Sequence, residues 1–135
     1  MRIIRIFAVL ALSVMVFAAF KQKPAFDLKA SIARGKEVYG SYCITCHMEK
    51  GEGIEGVYPP LAKSDYLMAD KKRSVTITLK GYTGEIKVNG VTYSGEMTSF
   101  DLTDQEASDV LNYIRNSFGN KGEAVKPEEV KALRN

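Results

Sequence analysis

Five consecutive residues, Cys-Ile-Thr-Cys-His at positions 43–47, limit the possible architecture of this chain more than any other segment. They contain both cysteines of the 135-residue protein, Cys43 and Cys46, and its only histidine, His47. On a helical turn the two cysteines, three residues apart, lie on one side. The histidine that follows can turn its imidazole toward the same region. The sequence therefore concentrates its thiol and imidazole chemistry at one place.

Three kinds of site use a cysteine pair of this spacing. Cys-x-x-Cys-His is typical of c-type haem attachment, in which each thiol adds to a vinyl group and the imidazole ligates the iron. A thioredoxin-like dithiol usually lies within a βαβ pattern, which is not found around residues 43–47. A structural zinc site needs four ligands, and this chain has only two cysteines and one histidine to supply them. The motif therefore predicts one covalent haem c on Cys43 and Cys46, with His47 on the iron, and a thiol oxidoreductase is an alternative.

The first twenty residues differ from the rest of the chain. Arg2 and Arg5 precede an almost wholly apolar run at residues 6–20. This pattern predicts a secretory signal peptide or N-terminal anchor at residues 1–20, followed by a linker at 21–27. The apolar run is shorter than the roughly 20 residues of a membrane span. We therefore expect a periplasmic protein, or one on the outer face of the cytoplasmic membrane, where bacterial haem attachment occurs.

The charge of the remaining chain is nearly balanced. Removal of Arg2 and Arg5 leaves 17 basic residues against 16 acidic ones, so the formal charge falls from +3 to +1. No basic stripe with interleaved aromatic residues is present, which argues against a nucleic-acid partner. The basic run at residues 71–73 is interpreted as a solvated face, with a docking patch for an acidic partner as the alternative.

Local patterns predict helices at both ends of a domain that spans residues 28–120. The first helix is expected from Leu28 to Gly40, with Gly35 on its apolar face, and a break at Gly35 is the alternative. The last long helix begins with a capping box of Thr103 and Glu106. Its apolar stripe is expected to stop at Gly119 and consists of Ala107, Val110, Leu111, Ile114 and Phe118.

The segments between and after these helices are shorter. A helical turn is expected at residues 65–68, and a hairpin at residues 86–93 turns at Asn89-Gly90. Residues 73–80 are rich in β-branched residues and are ambiguous between strand and helix. Residues 95–100 are predicted to form an irregular loop. The tail at residues 121–135 is expected to form a short helix that begins near Pro127.

The second axial position of the iron requires another ligand. Beyond residue 20 the methionines are Met48, Met68 and Met97. Met48 adjoins His47 and is held on the same side of the iron, and Met68 lies in an apolar segment and is interpreted as core packing. Met97 lies in a predicted loop before a capped helix, so we predict that it is the sixth ligand. An open sixth position is the alternative.

The order of these features resembles the class I cytochromes c over residues 30–119. The shared features are a first helix with Gly35 and Tyr39, the Cys-Ile-Thr-Cys-His motif, Gly-Glu-Gly at residues 51–53, a proline followed by Leu61, a methionine loop and an aromatic terminal helix. The resemblance implies an all-α fold whose N- and C-terminal helices cross around a covalently bound haem, with one small hairpin. It also implies that residues 73–80 are helical.

The resemblance further implies contacts for individual residues. Gly35 is expected to cross the terminal helix near Tyr113 and Ile114. The Pro59 carbonyl is expected to accept a hydrogen bond from His47 Nδ1–H, which fixes the imidazole tautomer. Leu61 is expected to pack on the haem face. Leu61, Phe100 and Ile114 are expected to form an apolar pocket.

A haem with histidine and methionine ligands favours one-electron transfer, because methionine raises its potential. We expect an electron carrier between larger redox proteins, and the chain has no acid–base pair or nucleophile constellation that indicates an enzyme. Association with a membrane would be through residues 1–20. A haem protein with an open or displaceable sixth position, either gas-binding or peroxidase-like, remains an alternative.

Overall fold

The computed structural model describes residues 25–134, so the predicted signal peptide or anchor and most of the predicted linker lie outside the described residues. The elements in chain order are α1 (Leu28–Tyr42), α2 (Ile44–His47), α3 (Asp65–Ala69), α4 (Lys71–Lys80), β1 (Tyr82–Val88), β2 (Val91–Met97), α5 (Asp104–Arg115) and α6 (Pro127–Arg134). In this part of the chain, no helix is both long enough and apolar enough to cross a membrane. The fold is small and mostly helical with one hairpin, as the sequence predicts.

Helix α1 packs against α5 through a glycine. Asp27 caps its first turn by accepting a hydrogen bond from the Ala30 N–H at 3.0 Å. Gly35 is buried, and a Cβ built on it would overlap the carbonyl of Asp109 and lie 2.9 Å from the Tyr113 Cβ. Only glycine permits this approach of two backbones. The helix therefore continues through Gly35 without a break.

Helix α5 has the predicted capping box but ends before the predicted stop. The Glu106 N–H donates to the Thr103 hydroxyl at 3.2 Å, and Glu106 Oε2 accepts from the Thr103 N–H at 2.8 Å. The helix ends at Arg115 rather than near Gly119. The side-chain amide of Asn120 donates to the Ile114 carbonyl at 2.7 Å and so satisfies one of the terminal acceptors.

Phe118 consequently lies outside the helix, in the left-handed region at φ 56°. Its ring packs against Tyr39 and Tyr113, with ring centroids 5.4 Å apart in each pair. Tyr39 and Tyr113 are also 5.4 Å apart. The apolar pattern therefore predicted correctly that Phe118 packs against the core but assigned it to the wrong element.

Helix α4 forms where β-branched residues made the prediction ambiguous. Asp70 accepts a hydrogen bond from the Arg73 N–H at 2.9 Å and caps the first turn. The hydroxyls of Thr76 and Thr78 donate to carbonyls four residues earlier, at 3.0 and 2.9 Å. Val75 and Leu79 are buried on one face. Burial and these local bonds outweigh the intrinsic preference of the segment, as tertiary context often does.

The hairpin is longer than predicted. Asn89 and Gly90 form its two-residue turn, at φ 50° and 87°, and Val88 pairs with Val91 as a type I′ hairpin requires. Pairing continues to Tyr82 and Met97. The predicted irregular loop at residues 95–100 is therefore wrong for its first three residues, which extend β2.

The C-terminal helix α6 docks on α4 and α5, and Val130 on α6 is fully buried. Lys71 Nζ donates to Glu129 at 2.6 Å and to the Ala124 carbonyl at 3.3 Å. The Arg73 guanidinium lies 3.7 Å above the Tyr66 ring centroid. The interpretation of residues 71–73 as a solvated face is therefore wrong for Lys71 and Arg73, because both make tertiary contacts.

Candidate haem site

A cavity of about 500 Å³ lies among α2, α4, α5 and the hairpin. Its volume falls within the roughly 300–1,000 Å³ of typical ligand and cofactor sites. The residues of the motif and several predicted contact residues line it, namely Cys43, Cys46, His47, Pro59, Leu61, Met97, Phe100 and Ile114. No lysine or arginine is among the described residues that line it.

The short helix α2 presents the two thiols and the imidazole to this cavity. The Cys43 carbonyl accepts hydrogen bonds from the N–H groups of Cys46 at 3.3 Å and His47 at 3.0 Å. This helical turn brings the three side chains together, as the spacing predicts, and all three line the cavity. The arrangement matches what two thioether bonds and one iron–nitrogen bond require of a single peptide segment.

The imidazole of His47 is buried and held by one hydrogen bond. Its Nδ1 lies 2.9 Å from the Pro59 carbonyl oxygen. Because a carbonyl only accepts, Nδ1 carries the proton and Nε2 keeps a lone pair for a metal. Burial lowers the pKa of His47 from its ordinary value, against a smaller raising effect of the Pro59 hydrogen bond. The ring is therefore neutral near pH 7, as metal coordination requires.

The environment of Cys43 argues against a redox dithiol. Burial, with a smaller contribution from Cys46, raises the pKa of the Cys43 thiol to about 11. Reactive cysteines instead have lowered pKa values, since the thiolate is the nucleophile. No group of three or more His, Cys, Asp or Glu side chains within residues 25–134 is arranged to hold a metal ion directly. Both findings weigh against the alternatives to a haem.

The three methionines beyond residue 20 occupy different surroundings. Met97 is the last residue of β2 and lines the cavity, whereas Met48 and Met68 do not line it. Met48 is the C-cap of α2, and its carbonyl accepts a hydrogen bond from the Tyr39 hydroxyl at 2.6 Å. Met68 packs against the core, as the sequence predicts. Met97 is therefore the only one of the three that reaches the cavity, although it lies in a strand and not in the predicted loop.

Much of the cavity wall was not predicted from the sequence. The hairpin contributes the alternate residues Tyr82, Gly84, Ile86 and Val88 of β1 and the consecutive residues Tyr93, Ser94, Gly95, Glu96 and Met97 of β2. Ile77 and Thr78 of α4 and Val110 of α5 add to the wall. The period-two alternation of residues 82–88 could have indicated the part of this wall that β1 forms. Tyr93 of β2 is 5% exposed.

These residues fit a haem c. Two thiols three positions apart, an imidazole with its Nε2 free, a thioether and mainly apolar walls supply the attachment, the axial ligands and the dry surroundings that such a group needs. The donor set does not resemble that of a mononuclear zinc or calcium site, which would need more nitrogen, sulfur or oxygen ligands.

Comparison with known proteins agrees with this chemistry. The model of the family described as Cytochrome c matches residues 32–118. Cytochrome c-552 of Thermus thermophilus is 39% identical over 112 residues, which cover 76% of this chain and 85% of that protein. The cytochrome c subunit of alcohol dehydrogenase (quinone) from Gluconobacter oxydans is 32% identical over 104 residues, which cover 74% of this chain and 22% of that longer protein. The chain therefore belongs to the class I cytochrome c family, whose members carry electrons on covalently bound haem c.

Proposed function

We propose that this protein is an exported monohaem c-type cytochrome that carries single electrons between larger redox proteins through a histidine/methionine-ligated haem. The observation that best supports this proposal is the shared cavity, because the two thiols and the imidazole on α2 and the thioether of Met97 all line it. Family membership supports electron transfer as the role. The proposed attachment of the haem and its histidine/methionine ligation rest on these four side chains.

Each of these residues has a distinct part in the proposal. Cys43 and Cys46 form the two thioether bonds, His47 Nε2 is one axial ligand and Met97 is the other. The haem iron supplies the redox change between the ferrous and ferric states. The Pro59 carbonyl keeps the imidazole oriented through the 2.9 Å hydrogen bond from Nδ1.

The walls of the cavity are proposed to set the potential. Leu61 and Phe100 line it and add to its apolar surface. Since apolar surroundings disfavour additional charge, they favour the reduced state of the iron, as does a thioether ligand. A relatively high reduction potential, suited to a carrier, follows from both effects. We assign no catalytic residue.

The proposed organisation of the chain follows from this role. Residues 1–20 direct export or anchor the protein, and residues 21–27 link them to the haem domain at residues 28–120. In this domain α1 and α5, which cross at Gly35, enclose the haem together with the hairpin. Residues 121–135 form a tail whose helix α6 docks on the domain. The protein then works in the periplasm or at the outer face of the cytoplasmic membrane.

The proposed partners are larger redox proteins, and the mouth of the cavity offers them an apolar contact. Tyr42, Val57 and Tyr58 line the cavity yet remain 41%, 54% and 36% exposed, and Ile54 beside them is 43% exposed. Electron-transfer complexes are small and transient, so a patch of this kind is sufficient. The relative from Gluconobacter oxydans is a subunit of a dehydrogenase, which makes a dehydrogenase one candidate class of donor.

The test is spectroelectrochemical titration of the haem-loaded protein, combined with exposure of the reduced form to carbon monoxide. We expect one reversible one-electron transition and no change of the reduced spectrum on addition of carbon monoxide. Rapid carbon monoxide binding by the unmodified protein would contradict the proposed methionine ligation. It would favour instead a gas-binding or peroxidase-like protein with an open sixth position.

A further inference from the structure

Arg115, the last residue of α5, is a buried cation that has no acidic partner within residues 25–134. The residue is 4% exposed. Its Nη1 donates to the Leu67 carbonyl oxygen at 2.7 Å, whereas Nε has no hydrogen-bond partner. The salt bridges of the described residues use other cations, namely Arg34, Lys71 and Arg134. Because burial of a charge without an acidic partner is energetically unfavourable, the presence of Arg115 at this position requires a reason.

The guanidinium lies directly behind one wall of the haem cavity. Leu67, whose carbonyl it binds, lines the cavity, and so does Ile114, the preceding residue on α5. The Ser74 hydroxyl donates to the same carbonyl at 3.0 Å, and Ser74 also lines the cavity. Arg115 itself does not line it. A single layer of residues thus separates the cation from the cavity.

We infer that Arg115 raises the reduction potential of the haem by holding a fixed positive charge behind the Leu67 wall of the cavity. Uptake of an electron lowers the charge of the cofactor by one unit, so a nearby cation stabilises the reduced form. The interior screens this interaction far less than water does. The inference rests on the proposed electron-transfer function and names a residue that tunes it.

Other charges near Arg115 do not cancel its field. The acidic groups that act most on the guanidinium are Glu123 and Asp70, and both are exposed to solvent. Their influence is therefore screened by water and ions. Burial lowers the pKa of Arg115 from its ordinary value, yet an arginine side chain remains protonated near neutral pH. The charge is thus present whenever the protein is folded.

The first test compares reduction potentials of haem-loaded variants by spectroelectrochemistry. Arg115→Gln should lower the potential, because it removes the cation while keeping a donor for the Leu67 carbonyl. Lys72→Gln, which removes the same unit of charge from an exposed position on α4, should shift the potential much less. Urea unfolding of each variant separately measures any loss of stability, which a purely structural role would produce without a shift in potential.

The second test converts the fixed charge into a titratable one and does not depend on how Arg115→Gln folds. A lysine buried at this position has a lowered pKa and loses its charge as the pH rises. The potential of Arg115→Lys should therefore match the unmodified protein in acid and fall increasingly below it as the pH rises. A potential of Arg115→Lys that lay below that of the unmodified protein by the same amount at every pH would contradict the inference.

The inference is also overturned if folded, haem-loaded Arg115→Gln has the same reduction potential as the unmodified protein. The same holds if its potential is lowered no more than that of Lys72→Gln. Failure of the proposed function would look different. In that case the unmodified protein itself would lack attached haem or a reversible one-electron transition.

Discussion

The His47 Nδ1 lies 2.9 Å from the Pro59 carbonyl oxygen, and Gly53 lies against the same carbonyl. A Cβ built on Gly53 would be 2.9 Å from that oxygen and would overlap the Tyr58 carbonyl. The Gly53 N–H also donates to the His47 carbonyl at 3.1 Å. The glycine thus permits the close approach of two chain segments that orient the imidazole.

Gly53→Ala should therefore destabilise the haem-loaded protein more than Gly56→Ala does. Both glycines have positive φ, at 63° and 74°, so both substitutions carry about 1–3 kcal/mol of backbone strain. Only Gly53→Ala adds overpacking, worth about a further 1–3 kcal/mol, because nothing lies within 4 Å of a Cβ on Gly56. Urea unfolding of the two variants measures the difference. Equal losses of stability would show that the Pro59 segment moves aside without cost.

The crossing of α1 and α5 allows a second matched comparison within one helix. Gly35→Ala should cost several kcal/mol, roughly, since the added carbon overlaps the Asp109 carbonyl of α5. Gly40→Ala places the same carbon on α1 with nothing within 4 Å. It should stabilise the protein by about 0.5–1 kcal/mol through helix propensity. Thermal unfolding that ranked the two variants in the opposite order would contradict the observed crossing.

Met97 and Met68 can be distinguished by their effect on the iron. Met97→Ala should lower the reduction potential and allow the reduced protein to bind carbon monoxide, because a thioether ligand is lost. Met68→Ala should do neither, although it removes core packing. Spectra and potentials of the two haem-loaded variants provide the measurement. The opposite pattern would show that Met68 is the sixth ligand. If neither variant changed the potential or the binding of carbon monoxide, the sixth position would be open or filled by another group.

The ion pair of Lys71 with Glu129 should make the docking of α6 depend on pH. The Lys71 hydrogen bond lowers the pKa of the Glu129 carboxyl, against a smaller effect of burial. A carboxyl whose pKa is lowered in the folded state stabilises the protein at pH values above its unfolded-state pKa of about 4.3. This contribution to the free energy of unfolding is lost as the pH falls through the folded-state pKa. Glu129→Gln should therefore cost less than about 1 kcal/mol at pH 7, since the pair is partly exposed.

This difference between Glu129→Gln and the unmodified protein should disappear in acid, below the pKa of the folded carboxyl. Urea unfolding at several pH values tests it, with Glu128→Gln as the exposed control that makes no salt bridge in the described part of the chain. A cost of Glu129→Gln that stayed constant with pH would mean that the ion pair is not what stabilises the docked helix.

Features set by neighbouring residues were predicted well. The capping box of Thr103 and Glu106 and the Asn89-Gly90 turn each depend on a few adjacent positions, so the sequence alone identifies them. The same holds for the helical turn that gathers Cys43, Cys46 and His47. The helical state of residues 73–80 was predicted from the family resemblance, because β-branched composition alone did not decide it.

Features set by distant residues were missed. Asp109 is buried and accepts hydrogen bonds from Ser31 at 2.5 Å and from Arg34 at 2.7 Å, more than 70 positions earlier in the chain. Arg115 is likewise buried, and its side chain contacts the distant Leu67 carbonyl, 48 positions earlier in the chain. No local pattern distinguishes these charged residues from exposed ones on an amphipathic helix. Met97 was assigned to a loop because the predicted hairpin ended at residue 93, whereas the strand pairing continues to Met97.

Denaturing mass spectrometry of the protein expressed in cells with a working haem-attachment system tests covalent attachment at Cys43 and Cys46 most directly. We expect the mass of the mature polypeptide plus one haem, retained under conditions that release non-covalent haem. The double variant Cys43→Ser/Cys46→Ser should give the bare polypeptide mass. A bare polypeptide mass for the unmodified protein, made in the same cells, would contradict the assignment of the two cysteines to a haem.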